Sequence, residues 1–289
     1  MIKLKTHDWS VEICPDIGGA ITLCQYNEFD VFRPAPAGYL QTANPMLASS
    51  FPLVPFSNRI AGGLINFQKT MTTLPPNYPG IAHPLHGSGW LAKWDVVTAE
   101  ETLCELKYDH PAGDWPWAFR ARQAIEIIGD ILRMTLSVEN LSDEDMPSGL
   151  GQHPYFPYAN QARLQFSARS VWTADQACIP KALVPVPHEW DFTDSAPVAG
   201  KAIDHCFVGW DGTAQISWAD NPLTIGISTS PQQNFAVLYI NSEENFFCFE
   251  PVTHMNNAIQ YLSSNTVTGL QALKPKQIQT FITEYRAMV

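Results

Sequence analysis

Apolar and polar side chains alternate with a period of two in several short runs along this chain. The clearest is Leu132-Arg133-Met134-Thr135-Leu136-Ser137-Val138-Glu139, in which every apolar side chain falls on one face of an extended backbone. Residues 119–127 repeat the pattern, with Arg120, Arg122 and Glu126 on the polar face, and so do residues 223–228. Ala236-Val237-Leu238-Tyr239-Ile240 is instead a continuous apolar run, the pattern of a strand covered on both faces. No stretch carries the 3.6-residue period of an amphipathic helix longer than two turns, and 23 prolines and 17 glycines interrupt the chain too often for one. Many short strands from end to end predict an all-β chain built as a large sandwich or barrel. Residues 180–197 hold four prolines and little periodicity, and are expected to form a loop-like excursion over the sandwich. No composition break or low-complexity linker divides the 289 residues, so 1–289 is read as one domain.

Composition narrows the function classes. Hydrophobic residues make up 45% and charged residues 16%, the balance of an ordinary globular protein. The net charge of −11, with Lys and Arg scattered singly, argues against a nucleic-acid or anionic-membrane partner, since both need a concentrated positive patch. No signal-peptide pattern opens the sequence and no apolar run reaches the roughly 20 residues that span a bilayer, which points to the cytoplasm. The six cysteines lie far apart with no C-x-x-C pair, so they are expected to be reduced thiols.

Four segments set ionisable residues among aromatics and turn formers. In Phe51-Pro52-Leu53-Val54-Pro55-Phe56-Ser57-Asn58-Arg59-Ile60, Arg59 follows a rigid apolar stretch and is either a solvated surface residue or a fork-shaped donor for hydroxyl oxygens. In His83-Pro84-Leu85-His86-Gly87-Ser88-Gly89-Trp90, two histidines three apart hint at a metal. Pro84 disfavours a helix there, however, and no Cys or acidic pair stands nearby to complete a shell, so no metal is expected. His86 is then either a turn histidine or one displayed on a loop whose glycines let a ligand approach the backbone. Gly149-Leu150-Gly151-Gln152-His153-Pro154-Tyr155-Phe156-Pro157 describes a rigid turn or strand end displaying an imidazole, the side chain best suited to exchanging a proton near neutral pH. In Asn245-Phe246-Phe247-Cys248-Phe249-Glu250-Pro251, a strand would put Phe247 and Phe249 on one face and Cys248 and Glu250 on the other. A carboxylate at the end of so apolar a strand is either bonded to backbone amides or used in chemistry, because burying an unpaired charge is costly.

Together these segments resemble the galactose mutarotases, the aldose 1-epimerases. The resemblance rests on Asn58-Arg59-Ile60, Leu85-His86-Gly87, Gly151 to Phe156, Asp204 to Phe207 and Cys248 to Glu250, in family order over about two hundred residues. It implies a large antiparallel β-supersandwich and a ring-opening mechanism. Glu250 would take the proton of the anomeric hydroxyl while His153 protonates the ring oxygen. After rotation about C1–C2, reclosure with the roles reversed gives the other anomer. His86 would hydrogen-bond near the ring oxygen, and Arg59 and Asp204 would hold sugar hydroxyls. The free enzyme would carry an ionised Glu250 and a protonated His153, giving a bell-shaped pH dependence. The reaction moves one proton off and one proton onto a single small molecule, so no cofactor is expected.

Two departures from the family pattern touch the cleft wall. Ser88 stands where a second glycine is usual, and the chain is shorter than many relatives. Trp90, Trp115 and Trp117 are candidate platforms for stacking a pyranose face. Competing functions are a sugar-binding module without turnover, a glycoside hydrolase using Asp204 and Glu250, and a phosphosugar mutarotase. The hydrolase would leave both histidines idle. A phosphate would want several converging Arg or Lys side chains, and only Arg59 stands out in the motif segments, so an uncharged free sugar is expected.

Overall fold

A computed structural model of the chain describes residues 1–158 and 160–289. Two large antiparallel sheets dominate it. In the nine-stranded sheet the order is Ala196–Pro197, Ala162–Gln165, Thr213–Trp218, Asn221–Ser230, Ile278–Met288, Ile131–Asn140, Phe119–Ile128, Leu103–His110 and Asp95–Ala99. The eight-stranded sheet runs Pro180–Pro185, Ser170–Ala174, Ile203–Val208, Phe235–Ile240, Phe246–Val252, Gly151–Gln152 and Pro52–Leu53, with Tyr155–Pro157 also paired to Phe246–Val252. A four-stranded sheet is built from Ile2–Lys5, Trp9–Cys14, Ala20–Tyr26 and Phe29–Phe32. The only α-helix among the described residues is the single turn Tyr39–Thr42.

The alternating runs become strands of the nine-stranded sheet. Ile131–Asn140 buries Leu132, Met134, Leu136 and Val138 and turns Arg133, Thr135, Ser137 and Glu139 outward. Those buried side chains meet Phe207, Leu238, Phe247 and Phe249 of the eight-stranded sheet in one hydrophobic core. Burial of each such side chain contributes about 1.5–3 kcal/mol. The eight-stranded sheet is covered on its other face as well, by a second apolar cluster that includes Val237, Cys248, Tyr155, Phe51 and Trp90. Its central strand Phe235–Ile240 therefore reads as unbroken apolar sequence rather than alternation. Five of the six cysteines are buried, Cys178 is half-buried, and none is in a disulfide.

Residues 180–197 differ from the loop expected there. Pro180–Pro185 and Ala196–Pro197 are edge strands, one in each large sheet, with the turn His188–Trp190 between them. Proline lacks the amide that a central strand must donate, but an edge strand has a free side that tolerates it.

Candidate active site

The strand Phe246–Val252 alternates as its sequence implies. Phe247 and Phe249 enter the core between the sheets, while Phe246, Cys248 and Glu250 line a cavity on the opposite face. The cavity, about 410 Å³, falls within the range of small-molecule sites. Arg59, His86, His153, Asp204 and Glu250 all line it, although they come from five separate segments.

His153 follows the short strand Gly151–Gln152, and its backbone N–H donates to Phe51 O at 3.0 Å. Its ring stacks between Phe51 and Tyr155, with centroids 4.5 and 4.7 Å away at 29° to each. Nε2 lies 3.4 Å from Glu250 Oε1. His153 is 8% exposed and Glu250 3%, so neither side chain can be solvated as an ion. Burial holds the imidazole down to about 3, and burial together with the nearby Asp204 charge pushes the carboxyl well above its ordinary range. The pair thus favours a neutral carboxyl beside a neutral imidazole, not the ionised Glu250 and protonated His153 expected for the free enzyme. The two forms hold the same single proton and differ only in which residue carries it. Among the described residues, Glu250 Oε2 and His153 Nδ1 find no hydrogen-bond partner.

His86 occupies a left-handed backbone conformation, φ 58°, opposite Asn58 at φ 57°. The two interlock, His86 N–H donating to Asn58 O at 2.9 Å and Asn58 N–H donating to His86 Nδ1 at 3.0 Å. Because Nδ1 accepts, the ring proton must sit on Nε2, and burial keeps the imidazole neutral. His86 is therefore a hydrogen-bond donor of fixed tautomer. The next residue, Gly87, has φ 71°, and a Cβ there would lie 2.2 Å from Val54 O. The glycine is required by this backbone approach, and it does not line the cavity.

Asp204 lies on Ile203–Val208, and its Oδ2 accepts a hydrogen bond from Cys178 Sγ at 3.1 Å. Cys178 itself sits in a tight turn at φ 59°, held by Asp175 Oδ1, which accepts from the amides of Ala177 and Ile179 at 2.9 and 3.0 Å. Burial and the Asp204 charge push the Cys178 thiol up to about 11, so it remains a donor at neutral pH. Arg59 Nη1 lies 3.4 Å from Asn58 Oδ1.

The three candidate tryptophans are not in the cavity wall. Trp90, Trp115 and Trp117 are 0%, 4% and 2% exposed and pack in the core, Trp90 stacking on Phe51. Large aromatic surface is spent on burial unless a polar edge needs solvent. The cavity's aromatic residues are Tyr155, Tyr239 and Phe246. Phe246 could have been found by stepping four residues back from Glu250 along the same strand face. Arg33 also lines the cavity and carried no motif signal. His83 lies apart from the cavity wall, its Nδ1 accepting from Gly62 N–H at 3.1 Å. Among the described residues no group of three or more His, Cys, Asp or Glu is placed to hold a metal ion.

Comparison with known proteins bears on the fold and the family. The uncharacterised Escherichia coli K12 protein YphB is 34% identical over 248 residues, covering 83% of each chain. The crystal structure of a candidate aldose 1-epimerase from E. coli K12 superposes with a TM-score of 0.91 at 29% identity, over 99% of this chain and 98% of the other. A galactose mutarotase-like protein of Clostridium acetobutylicum shares the fold with a TM-score of 0.87 at 20% identity, over 99% and 94% of the two chains. The family profile described as aldose 1-epimerase matches residues 1–286, and the chain belongs to the aldose 1-epimerase family.

Proposed function

We propose that the protein is an aldose 1-epimerase, interconverting the α and β anomers of a free, unphosphorylated sugar, with residues 1–289 acting as one domain. The observation that carries this is the buried contact of His153 Nε2 with Glu250 Oε1 at 3.4 Å, in a cavity of sugar size. Such a pair can take a proton from one oxygen of a small molecule and deliver one to a neighbouring oxygen. When the sugar binds, its anomeric O–H donates to Glu250 and its ring oxygen accepts from His153. Both hydrogen bonds favour the charged form of the pair, so substrate draws the shared proton from carboxyl to imidazole. Glu250 then removes the anomeric proton as His153 protonates the ring oxygen, and the C1–O5 bond opens to the aldehyde. Rotation and reversal of the two transfers close the other anomer.

His86 supports this as a neutral Nε2–H donor to the ring-oxygen side, unable to serve as the acid while its Nδ1 is engaged by Asn58. Arg59 and Asp204 hold ring hydroxyls, Asp204 oriented by Cys178. The test is optical rotation after dissolving pure α-anomers of common aldoses. Catalysed approach to the equilibrium rotation supports the epimerase. Binding without acceleration indicates a sugar-binding module, release of monosaccharide from a disaccharide a hydrolase, and acceleration confined to sugar phosphates a phosphosugar mutarotase.

A further inference from the structure

The cavity wall contains a second guanidinium whose environment differs from that of Arg59. Arg33 follows the strand Phe29–Phe32 and is half-buried. Its guanidinium carbon lies 4.0 Å from the centroid of Tyr155 and 4.4 Å from that of Phe246. Nη2 donates to Met46 O at 3.0 Å and Ala48 O at 2.9 Å. Aromatic contacts and two carbonyls thus hold the group rigidly, while Nε and Nη1 make no hydrogen bond to protein among the described residues. No carboxylate pairs with it among those residues either. Asp30, three positions earlier, is already engaged by Gln25 Nε2 and Tyr158 O–H, and Glu244 lines the cavity without reaching Arg33.

A half-buried guanidinium with no counter-ion is costly unless a ligand supplies the charge. Its position says which part of a sugar it would meet. Tyr155 packs against both His153 and Arg33, with centroid distances of 4.7 and 4.0 Å. The ring oxygen that His153 would protonate is bonded to C5, the carbon that bears the exocyclic substituent. We propose that Arg33 makes this cavity selective for a pyranose carrying a carboxylate on its exocyclic carbon, a hexuronate. This rests on the epimerase reading for the placement of the ring. The N–H groups left free on Nε and Nη1 can each donate to a carboxylate oxygen, whereas a phosphate dianion would want further cations and would share the cavity with Asp204 and Glu244.

The test compares two pairs of sugars, galacturonate with galactose and glucuronate with glucose, because each pair differs only at the exocyclic carbon. Mutarotation by the wild-type protein, as kcat/KM, is expected to favour the acid in at least one pair by about tenfold or more, the scale of a hydrogen-bonded charge pair. In Arg33→Gln that preference collapses toward unity, and Arg33→Lys retains part of it. Calorimetric affinities of the same pairs for Glu250→Gln measure the preference without turnover. An acid preference in affinity with no accelerated mutarotation of any sugar would overturn the epimerase reading and leave the selectivity standing. Wild-type protein that handles or binds the acid no better than the neutral sugar in both pairs overturns the selectivity, as does a preference that survives in Arg33→Gln. The wild-type comparison decides the matter even if the Arg33 variants fold poorly.

Discussion

His153 Nε2 and Glu250 Oε1 lie 3.4 Å apart, and burial drives the first toward its neutral base and the second toward its neutral acid. The pair therefore holds one proton over a wide pH range. A second proton is taken up only as pH falls toward about 3, where the imidazole titrates, and the single proton is lost only as pH rises through the elevated range of Glu250. Wild-type kcat/KM should stay level between the lowered range of His153 and the elevated range of Glu250, and fall on the alkaline side of the latter.

His153→Asn separates the two groups. Loss of one general acid should cost about two to four orders of magnitude. In that variant no imidazole can accept the carboxyl proton, so residual activity requires an ionised Glu250. Because the Glu250 pKa is raised, residual activity should increase with pH where wild-type activity declines. A polarimetric pH series on both proteins measures the two slopes, and parallel profiles would contradict the shared-proton account.

His86 is locked as an Nε2–H donor by the Asn58 amide. Replacing it with Asn should lower kcat by about 10²-fold, the cost of one preorganised donor. The pH limbs should stay where they are, because His86 is not the titrating group. A shifted alkaline limb in His86→Asn would show that the roles of the two histidines are exchanged.

Cys178 acts through Asp204. Cys178→Ala removes the thiol donor without placing a β-branched side chain at a left-handed position and should raise KM by about three- to tenfold, since the donor serves a carboxylate but is itself weak. Because the hydroxyls assigned to Asp204 in the proposed function do not react, kcat should change little. Cys178→Ser, which still donates, should recover most of the loss. Equal losses in kcat for Ala and Ser would indicate a packing defect instead.

How far the sequence revealed this site depends on how local each signal is. Glu250 and its cavity-facing neighbours follow from period-two alternation within Phe246–Val252. His86, His153 and Arg59 lie in short segments whose turn residues stand next to them in the chain. Arg33 had no such signal, because its partners Tyr155 and Phe246 are more than a hundred residues away and only the fold brings them together. Cys178 was hidden for the same reason, lying in an ordinary turn until Ile203–Val208 places Asp204 beside it. The tryptophans misled because aromatic size signals burial and ligand contact alike. The prolines of 180–197 misled because edge strands accept a residue that central strands exclude.

Buried histidines also set the stability profile. His86, His153 and His254 are all held below their ordinary pKa by burial, so the unfolded chain binds more protons than the native one once pH drops below about 6.5. Stability is lost on acidification at about 1.4 kcal/mol per pH unit for each group. Glu250, raised by burial, has the opposite sign: it takes up a proton in the native state first and offsets one histidine. These four groups together predict a net loss of about 2–3 kcal/mol per pH unit near pH 5. Denaturant titrations at pH 7, 6 and 5 measure it, and a midpoint that rises on acidification would contradict the neutral assignment of the histidines.

The role of Glu250 is tested by comparing wild-type protein with Glu250→Gln on the α-anomer of whichever aldose the wild type binds most tightly. Optical rotation is followed to equilibrium at equal protein concentration, and affinity is determined in parallel. Wild-type protein is expected to bring the rotation to its equilibrium value well ahead of the spontaneous reaction. Glu250→Gln, still binding the sugar, should lose about two to four orders of magnitude of that catalysis. A Glu250→Gln protein that catalyses mutarotation at close to the wild-type rate would contradict the account.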